Sequence, residues 1–242
     1  MNENISVVIP HKNNSRYIES AIKSCILQIK KPNEVIIIDD HSQENEYKSL
    51  TRIISRQSCH GVDIILQKNK DSGIASALNQ GIEQSKYDLV ARMDADDISL
   101  PWRFCYQLYV MKKYKCDIIG SSAIAFRNLL ILGLISLPRN HNRICKYALK
   151  RNPIIHPSIL FKKNIILKSG YPIEEKFQGF EDYILWLRLL YKGVNFRNTF
   201  LPVILYRFHN GQFSRKQRDK IHEIRPEIDK LISDLKQKIN YF

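Results

Sequence analysis

Short runs of β-branched residues, each stopping on a polar group and separated by helical spacing, decide what the first half of this chain can become. Ile5–Ile9 (ISVVI) ends at Pro10 and reads as a strand buried on both faces. Asn14 or Ser15 then caps a helix whose Tyr17, Ile18, Ala21, Ile22, Cys25, Ile26 and Ile29 share one face, with Pro32 just past its end. Val35–Ile38 repeats the strand signature and runs into Asp39-Asp40. A polar helical stretch over 44–56 precedes a third strand at Val62–Leu66. Gly73–Gln84 reads as a helix, and Asp88–Arg92 as a fourth strand ending at Met93-Asp94-Ala95-Asp96-Asp97. Continuously apolar strands alternating with helices predict an α/β fold with a mostly parallel sheet covered on both faces. Ligands of such sheets bind beyond the carboxyl ends of the strands. The polar residues fall there: His11 and Lys12, Asp39 and Asp40, then Asp94 to Asp97. Neither G-x-G-x-x-G nor G-x-x-x-x-G-K-[ST] is present, so a glycine cradle for phosphate is not expected.

The carboxylates carry the sharpest chemistry. At an extended strand end residues i and i+2 point the same way, so Asp94 and Asp96 converge. Two converging carboxylates repel unless a cation lies between them. A hard divalent ion, Mg²⁺ or Mn²⁺, that keeps waters and shares phosphate oxygens would supply that charge. A lone D-x-D also describes a solvated acidic turn capping the helix that starts at Pro101. Asp39-Asp40, followed by His41-Ser42, reads either as an Asx turn or as a carboxylate for a base edge or ribose.

In the second half, Ile118–Phe126 and Leu129–Leu137 read as two strands turning at Arg127-Asn128. A cluster without any acid follows: Arg139, Arg143, Lys146, Lys150, Arg151, Lys162 and Lys163, surrounding His156-Pro157-Ser158. Glu181 and Asp182 open a helix that Gly193 stops, and they sit where the helix dipole favours anions. From Arg215 onward Ile221, Ile224, Ile228, Leu231, Leu235, Ile239 and Phe242 form an amphipathic stripe restarted at Pro226. That stripe suits packing on the domain or lying on an anionic membrane.

The ordered set VVIPHKN, EVIIIDDHS, Asn69 with DSGIASALNQGI, LVARMDADD and GFEDYILWLRL resembles glycosyltransferase family 2 over about residues 4–214. The resemblance implies a GT-A fold and inverting transfer of a sugar from a nucleotide-diphosphate donor, UDP in the first instance. It places Pro10, His11, Lys12, Asp39, Asp40, Asp71, Gly73, Asn79 and Asp94 around the donor nucleotide, with Asp40 reading the uracil. It makes Asp96 the metal-ligating acid, with Asp94 as its partner and His209 of YRFHNGQFS, which also holds Ser214, as a further candidate ligand. Asp182 takes the place of the catalytic base beside Glu181, and His156, Ser158, Arg139 and Arg143 lie towards the acceptor. Where the family has Tyr stacking on the base, this chain has Lys12, with His11 next to it.

The resulting division is a transferase domain over 1–214, with a donor half 1–120 and an acceptor half 121–214, followed by a basic helical tail over 215–242. Residues 1–120 hold 16 basic and 15 acidic side chains, residues 121–242 hold 22 and 9, so nearly all of the net +14 belongs to the acceptor half and the tail together. That surface suits a saccharide or lipid-linked acceptor and an anionic membrane face. Nucleic acid is not expected, because the aromatic residues follow apolar patterns and do not interleave with Lys and Arg. A polyprenyl-phosphate sugar synthase of the same fold is the alternative enzyme, and a basic nucleic-acid-binding module the alternative of another class. No run reaches the roughly 18–20 apolar residues a membrane span needs, and MNENISVVIP lacks the features of a secretory signal. The five cysteines form no C-x-x-C and read as packing thiols in a reducing compartment. The expected location is cytoplasmic, peripheral on the inner membrane face.

Overall fold

The computed structural model describes residues 3–57, 61–209 and 221–239. Among these, nine strands join one sheet in the order β3-β2-β1-β4-β8-β6-β9-β5, with β7 paired to β6. The first half supplies β1 (Ile5–His11), α1 (Ser15–Ile26), β2 (Glu34–Asp39), α2 (Glu44–Ser55), β3 (Asp63–Lys68), α3 (Ile74–Gln84) and β4 (Leu89–Arg92). β3, β2, β1 and β4 are all parallel, and β1, β2 and β4 are buried along their whole length. The α/β expectation holds in the donor half because a strand lined on both faces by Ile, Val and Leu needs helices above and below it.

The sheet then continues into the second half of the chain, where sequence patterning is less informative. β5 (Ile98–Ser99) follows the Asp94–Asp97 segment and pairs with β9 (Phe196–Arg207). α4 (Arg103–Tyr114) begins after a turn at Pro101-Trp102, two residues later than the proline suggested. β6 (Ile118–Arg127) and β7 (Leu130–Ile135) form the expected hairpin, but its turn falls at Asn128-Leu129, with Asn128 at φ 54°. α5 (His141–Ala148), β8 (Leu160–Lys162), α6 (Lys163–Leu167) and α7 (Glu181–Tyr191) complete this half. β8 runs antiparallel between β4 and β6, which joins the donor sheet to the acceptor half in one continuous surface.

α8 (Ile221–Ile239) packs back on the domain, one of the two outcomes its amphipathic stripe offered. It runs through Pro226 without a restart, and Ile224, Ile228, Ile232 and Leu235 are buried in the same cluster as Ile184, Trp186 and Leu187 of α7. The three-and-four spacing buries one face, and α7 is the surface that face meets. Ser214 and Phe242 lie outside the described residues.

Burial of that stripe predicts that Ile228→Ala and Leu235→Ala each destabilise the whole protein by about 2–4 kcal/mol in urea unfolding. A separable tail would give changes below about 0.5 kcal/mol.

Candidate active site

Three strand ends and the start of α7 build the site. At β1, His11 is 1% exposed and wedged into the loop. Its Nδ1 donates to Asp39 Oδ1 at 2.9 Å, and its Nε2 accepts from the Asn14 backbone N–H at 3.3 Å. Asp39 also accepts from the Ser42 hydroxyl at 2.6 Å and its backbone N–H at 3.1 Å. Burial alone would raise the Asp39 carboxyl; these partners outweigh it and hold the carboxyl below its usual range. Both side chains are consumed within the loop. They brace the loop after β1. Pro10 is likewise buried in β1.

Asp40 is placed differently. Its Oδ1 accepts from the Gly73 N–H and from Asn69 Nδ2, each at 2.9 Å, and its Oδ2 meets Lys12 Nζ at 3.1 Å. Gly73 sits at φ 98° at the start of α3, a conformation that side chains rarely adopt, so the N–H can face Asp40. Lys12 is half exposed and paired with Asp40, not stacked. His41, at φ 55°, donates from Nε2 to the Asp71 carbonyl at 2.7 Å, locking the second loop to the third while the Asp71 side chain stays exposed. The Asn79 side-chain amide grips the Tyr171 backbone with bonds of 2.9 and 2.8 Å.

The Asp94–Asp97 segment follows β4. Arg92, buried at the end of that strand, makes a two-pronged bond to Asp94 at 2.8 and 2.5 Å. Burial pushes the Asp94 carboxyl up to about 6, against the pull of Arg92. Asp96 accepts from His209 Nε2 at 2.7 Å, so the structure brings those two predicted residues together. Arg207 binds the segment from β9, its Nε donating to the Asp96 carbonyl at 2.6 Å and its backbone N–H to Asp97 Oδ1 at 2.8 Å. Carboxylate oxygens of Asp94, Asp96 and Asp97 lie within 4.8 Å of one another. Asp97 Oδ2 is buried with no hydrogen-bond partner, and burial raises the Asp97 carboxyl well above its usual range. Three close acids, one with an orphaned buried oxygen, fit a hard divalent cation, since carboxylate oxygens suit Mg²⁺ and Mn²⁺.

Asp182 enters from the first turn of α7. Asn152 Nδ2 donates to its Oδ2 at 2.7 Å, and the Tyr183 N–H to its Oδ1 at 2.6 Å. Burial raises the Asp182 carboxyl despite the Asn152 bond. Its charge adds to the rise of the Asp94 carboxyl, so Asp182 lies within electrostatic reach of that acid. Glu181 is 5% exposed and accepts from the Gly179 N–H at 2.6 Å; burial, and then Asp182, lift it to about 7. His156 stands 3.7 Å from Asp182 and bonds the Tyr171 hydroxyl at 2.8 Å. Burial drives its pKa far down, so the ring is neutral and its approach to Asp182 is no salt bridge. Ser158 is fully buried, with its hydroxyl spent on the Ile155 carbonyl and the Ser121 N–H. Arg139 and Arg143 are exposed before and on α5, Arg139 lying 4.7 Å over the Phe200 ring.

Sequence reasoning missed Arg92, Asn152, Tyr171 and Arg207. Arg92 had a signal: a charged residue closing an otherwise apolar buried strand directly before the acid cluster. The others come to the site only through the long-range pairing of β9 and the packing of 152–171 on α3 and α7, which no local pattern encodes.

The structure is that of a GT-A glycosyltransferase. It aligns with Staphylococcus aureus TarS (residues 1–349, in complex with UDP-GlcNAc) at a TM-score of 0.71 and 14% identity, covering 96% of this chain and 66% of that one. It aligns with the mannosyltransferase PcManGT of Pyrobaculum calidifontis, in complex with GDP-Man and Mn²⁺, at 0.68 and 16% identity, covering 96% and 68%. The model of Glycosyl transferase family 2 matches residues 6–154, and the chain belongs to that family. It is 32% identical over 216 residues to the Escherichia coli O-antigen biosynthesis glycosyltransferase WbnJ, covering 85% of this chain and 80% of that protein. It is 33% identical over 208 residues to the E. coli UDP-Gal:alpha-D-GlcNAc-diphosphoundecaprenol beta-1,3-galactosyltransferase, covering 85% and 74%.

The raised Glu181 carboxyl has a readable consequence. Protons leave the unfolded chain near 4.5 but the folded one only near 7, so the share of stability tied to this group is complete below about pH 4.5 and fades as pH rises to about 7. Glu181→Gln is expected to flatten that fall in melting temperature between about pH 5 and 7.5. A pH profile parallel to wild type would contradict the buried, protonated Glu181.

Proposed function

We propose that this protein is an inverting glycosyltransferase that moves a sugar from a UDP-linked donor to a lipid-linked saccharide acceptor in the building of a surface polysaccharide. The observation that carries this reading is the cluster of Asp94, Asp96 and Asp97 after β4, with Asp182 of α7 within electrostatic reach of Asp94. A base and a diphosphate-holding segment sharing one space are what a single in-line displacement requires. The relatives' names support UDP donors and diphosphoundecaprenol acceptors.

Asp40, held by Gly73 and Asn69 with Lys12 at its rim, presents its carboxylate to the nucleotide base. Asp96, with Asp94 and Asp97, would hold a divalent cation, and His209 reaches the same acid. When bound, that cation supplies positive charge against the negative charge that develops on the leaving diphosphate. Asp182 accepts the proton of the acceptor hydroxyl as that oxygen bonds to the anomeric carbon and the bond from that carbon to the diphosphate oxygen breaks. One displacement inverts the anomeric centre. Burial makes Asp182 more basic than an exposed Asp, and Asn152 keeps the carboxylate aimed. Neutral His156, anchored on Tyr171, lines the acceptor side.

UDP is expected to raise the melting temperature with Mn²⁺ or Mg²⁺ present and not in EDTA, and Asp96→Ala to abolish that rise. Equal stabilisation in EDTA would overturn the cation assignment. Asp182→Asn should keep the UDP-dependent rise while transfer falls by about 10²–10⁴-fold. Near-normal turnover in that variant, with released UDP as the readout, would remove Asp182 as the base.

A further inference from the structure

The hairpin of β6 and β7 projects an apolar surface that the reaction chemistry does not use. Leu129 is fully exposed, Leu130 and Ile131 are 67% and 70% exposed, and Leu132 and Leu134 about half. Single exposed aliphatics are ordinary; five within six residues at one hairpin make a patch that water disfavours. Alternate side chains of a strand point to opposite faces, so exposure at both Leu130 and Ile131 leaves both faces of β7 bare. A bulge further shapes this strand: Ala125 opposes Gly133 while Phe126 opposes Ile131, which leaves Leu132 unpaired. Bulges on an edge strand work against its pairing with another strand.

The charge around the hairpin has one sign. From residue 118 to 173 there is no Asp or Glu, against nine Lys and Arg. Arg127 stands at the base of the turn, Arg139 just past the other end of β7, and Arg143, Lys146, Lys150 and Arg151 follow on and after α5, all exposed. The amphipathic stripe of α8 is buried against α7, so it does not compete for the role of lipid contact.

We propose that the β6–β7 hairpin inserts its aliphatic tip into the interface of an anionic bilayer, while Arg127, Arg139 and the basic residues of α5 meet the lipid phosphates. A bilayer solvates both faces of an inserted strand, whereas a second copy of the chain would cover one and leave the other in water. Apolar insertion combined with basic contacts is how peripheral proteins reach useful affinity for anionic lipid. The proposal rests on the transferase reading only in that the lipid-linked acceptor would be met at this surface; the binding itself is read without turnover.

The test is co-sedimentation of the full chain with vesicles of phosphatidylcholine alone and of phosphatidylcholine mixed with phosphatidylglycerol. Wild type is expected to bind the anionic vesicles and to leave them as salt rises. Leu130→Ser and Leu132→Ser should each weaken binding by about tenfold, the loss expected for one apolar side chain no longer buried. The paired variant R139Q/R143Q should lose the preference for anionic over neutral vesicles. The UDP-dependent rise in melting temperature, measured on the same variants, should match wild type and shows that fold and donor site are intact. Failure of wild type to bind anionic vesicles, or serine variants that bind as wild type does, would overturn the proposal and leave the transferase reading standing. Serine variants that turn a dimer into a monomer without changing vesicle binding would assign the hairpin to a contact between copies and overturn it too. Loss of the UDP response in wild type would count against the transferase reading and not against the hairpin.

Discussion

One buried guanidinium allows the acids of this site to exist together. Arg92 closes β4, is 3% exposed, and grips both oxygens of Asp94. Its charge also lowers Asp97, Asp182 and Glu181, acids that burial alone would force towards neutrality. The same charge helps keep His156 neutral. A buried ion pair is a weak source of net stability, but removing one partner strands the other at a cost of several kcal/mol. Here the use of Arg92 is electrostatic. Its charge offsets the repulsion among buried carboxylates drawn from both halves of the chain.

The join between the two halves is braced from both sides. Arg103 of α4 is fully buried, donates to the Arg92 carbonyl at 2.7 Å and to the Ile159 carbonyl at 3.2 Å, and burial brings it down to about 10. Gln107, one turn further on, donates to the Ser158 carbonyl at 2.7 Å. Asn79 holds the Tyr171 backbone, and the Tyr171 hydroxyl holds His156 beside Asp182. The donor helix α3 thus positions a residue of the acceptor side without contacting it. Such cross-links hold Asp182 and the Asp94–Asp97 segment in register, and in a reacting site misplacement by an ångström costs heavily in rate.

Legibility followed the range of the interactions. The parallel strands β1, β2 and β4 were readable because uninterrupted Ile and Val runs have few other fates, and the Asp94–Asp97 cluster because it terminates one of them. β8 is three residues long and β5 two, too short for any period, so the antiparallel join to the acceptor half was invisible. His11, Asp39 and Asn79 show another gap. Asn14 and Ser42 are local partners, but His11 and Asp39 meet each other across 28 residues and Asn79 meets Tyr171 across 92. The tail's stripe was plain in sequence, while its partner face on α7 was not, since amphipathicity tells that a face is covered and not by what.

A double-mutant cycle between Arg92 and Asp94, followed by urea unfolding, tests most directly whether the buried pair is the keystone. Arg92→Met and Asp94→Leu are each expected to cost about 3–5 kcal/mol, and the double variant much less than their sum, because neither charge is then left unpaired. Additive losses, or single variants as stable as wild type, would show that the site's acids converge without Arg92 and contradict the account.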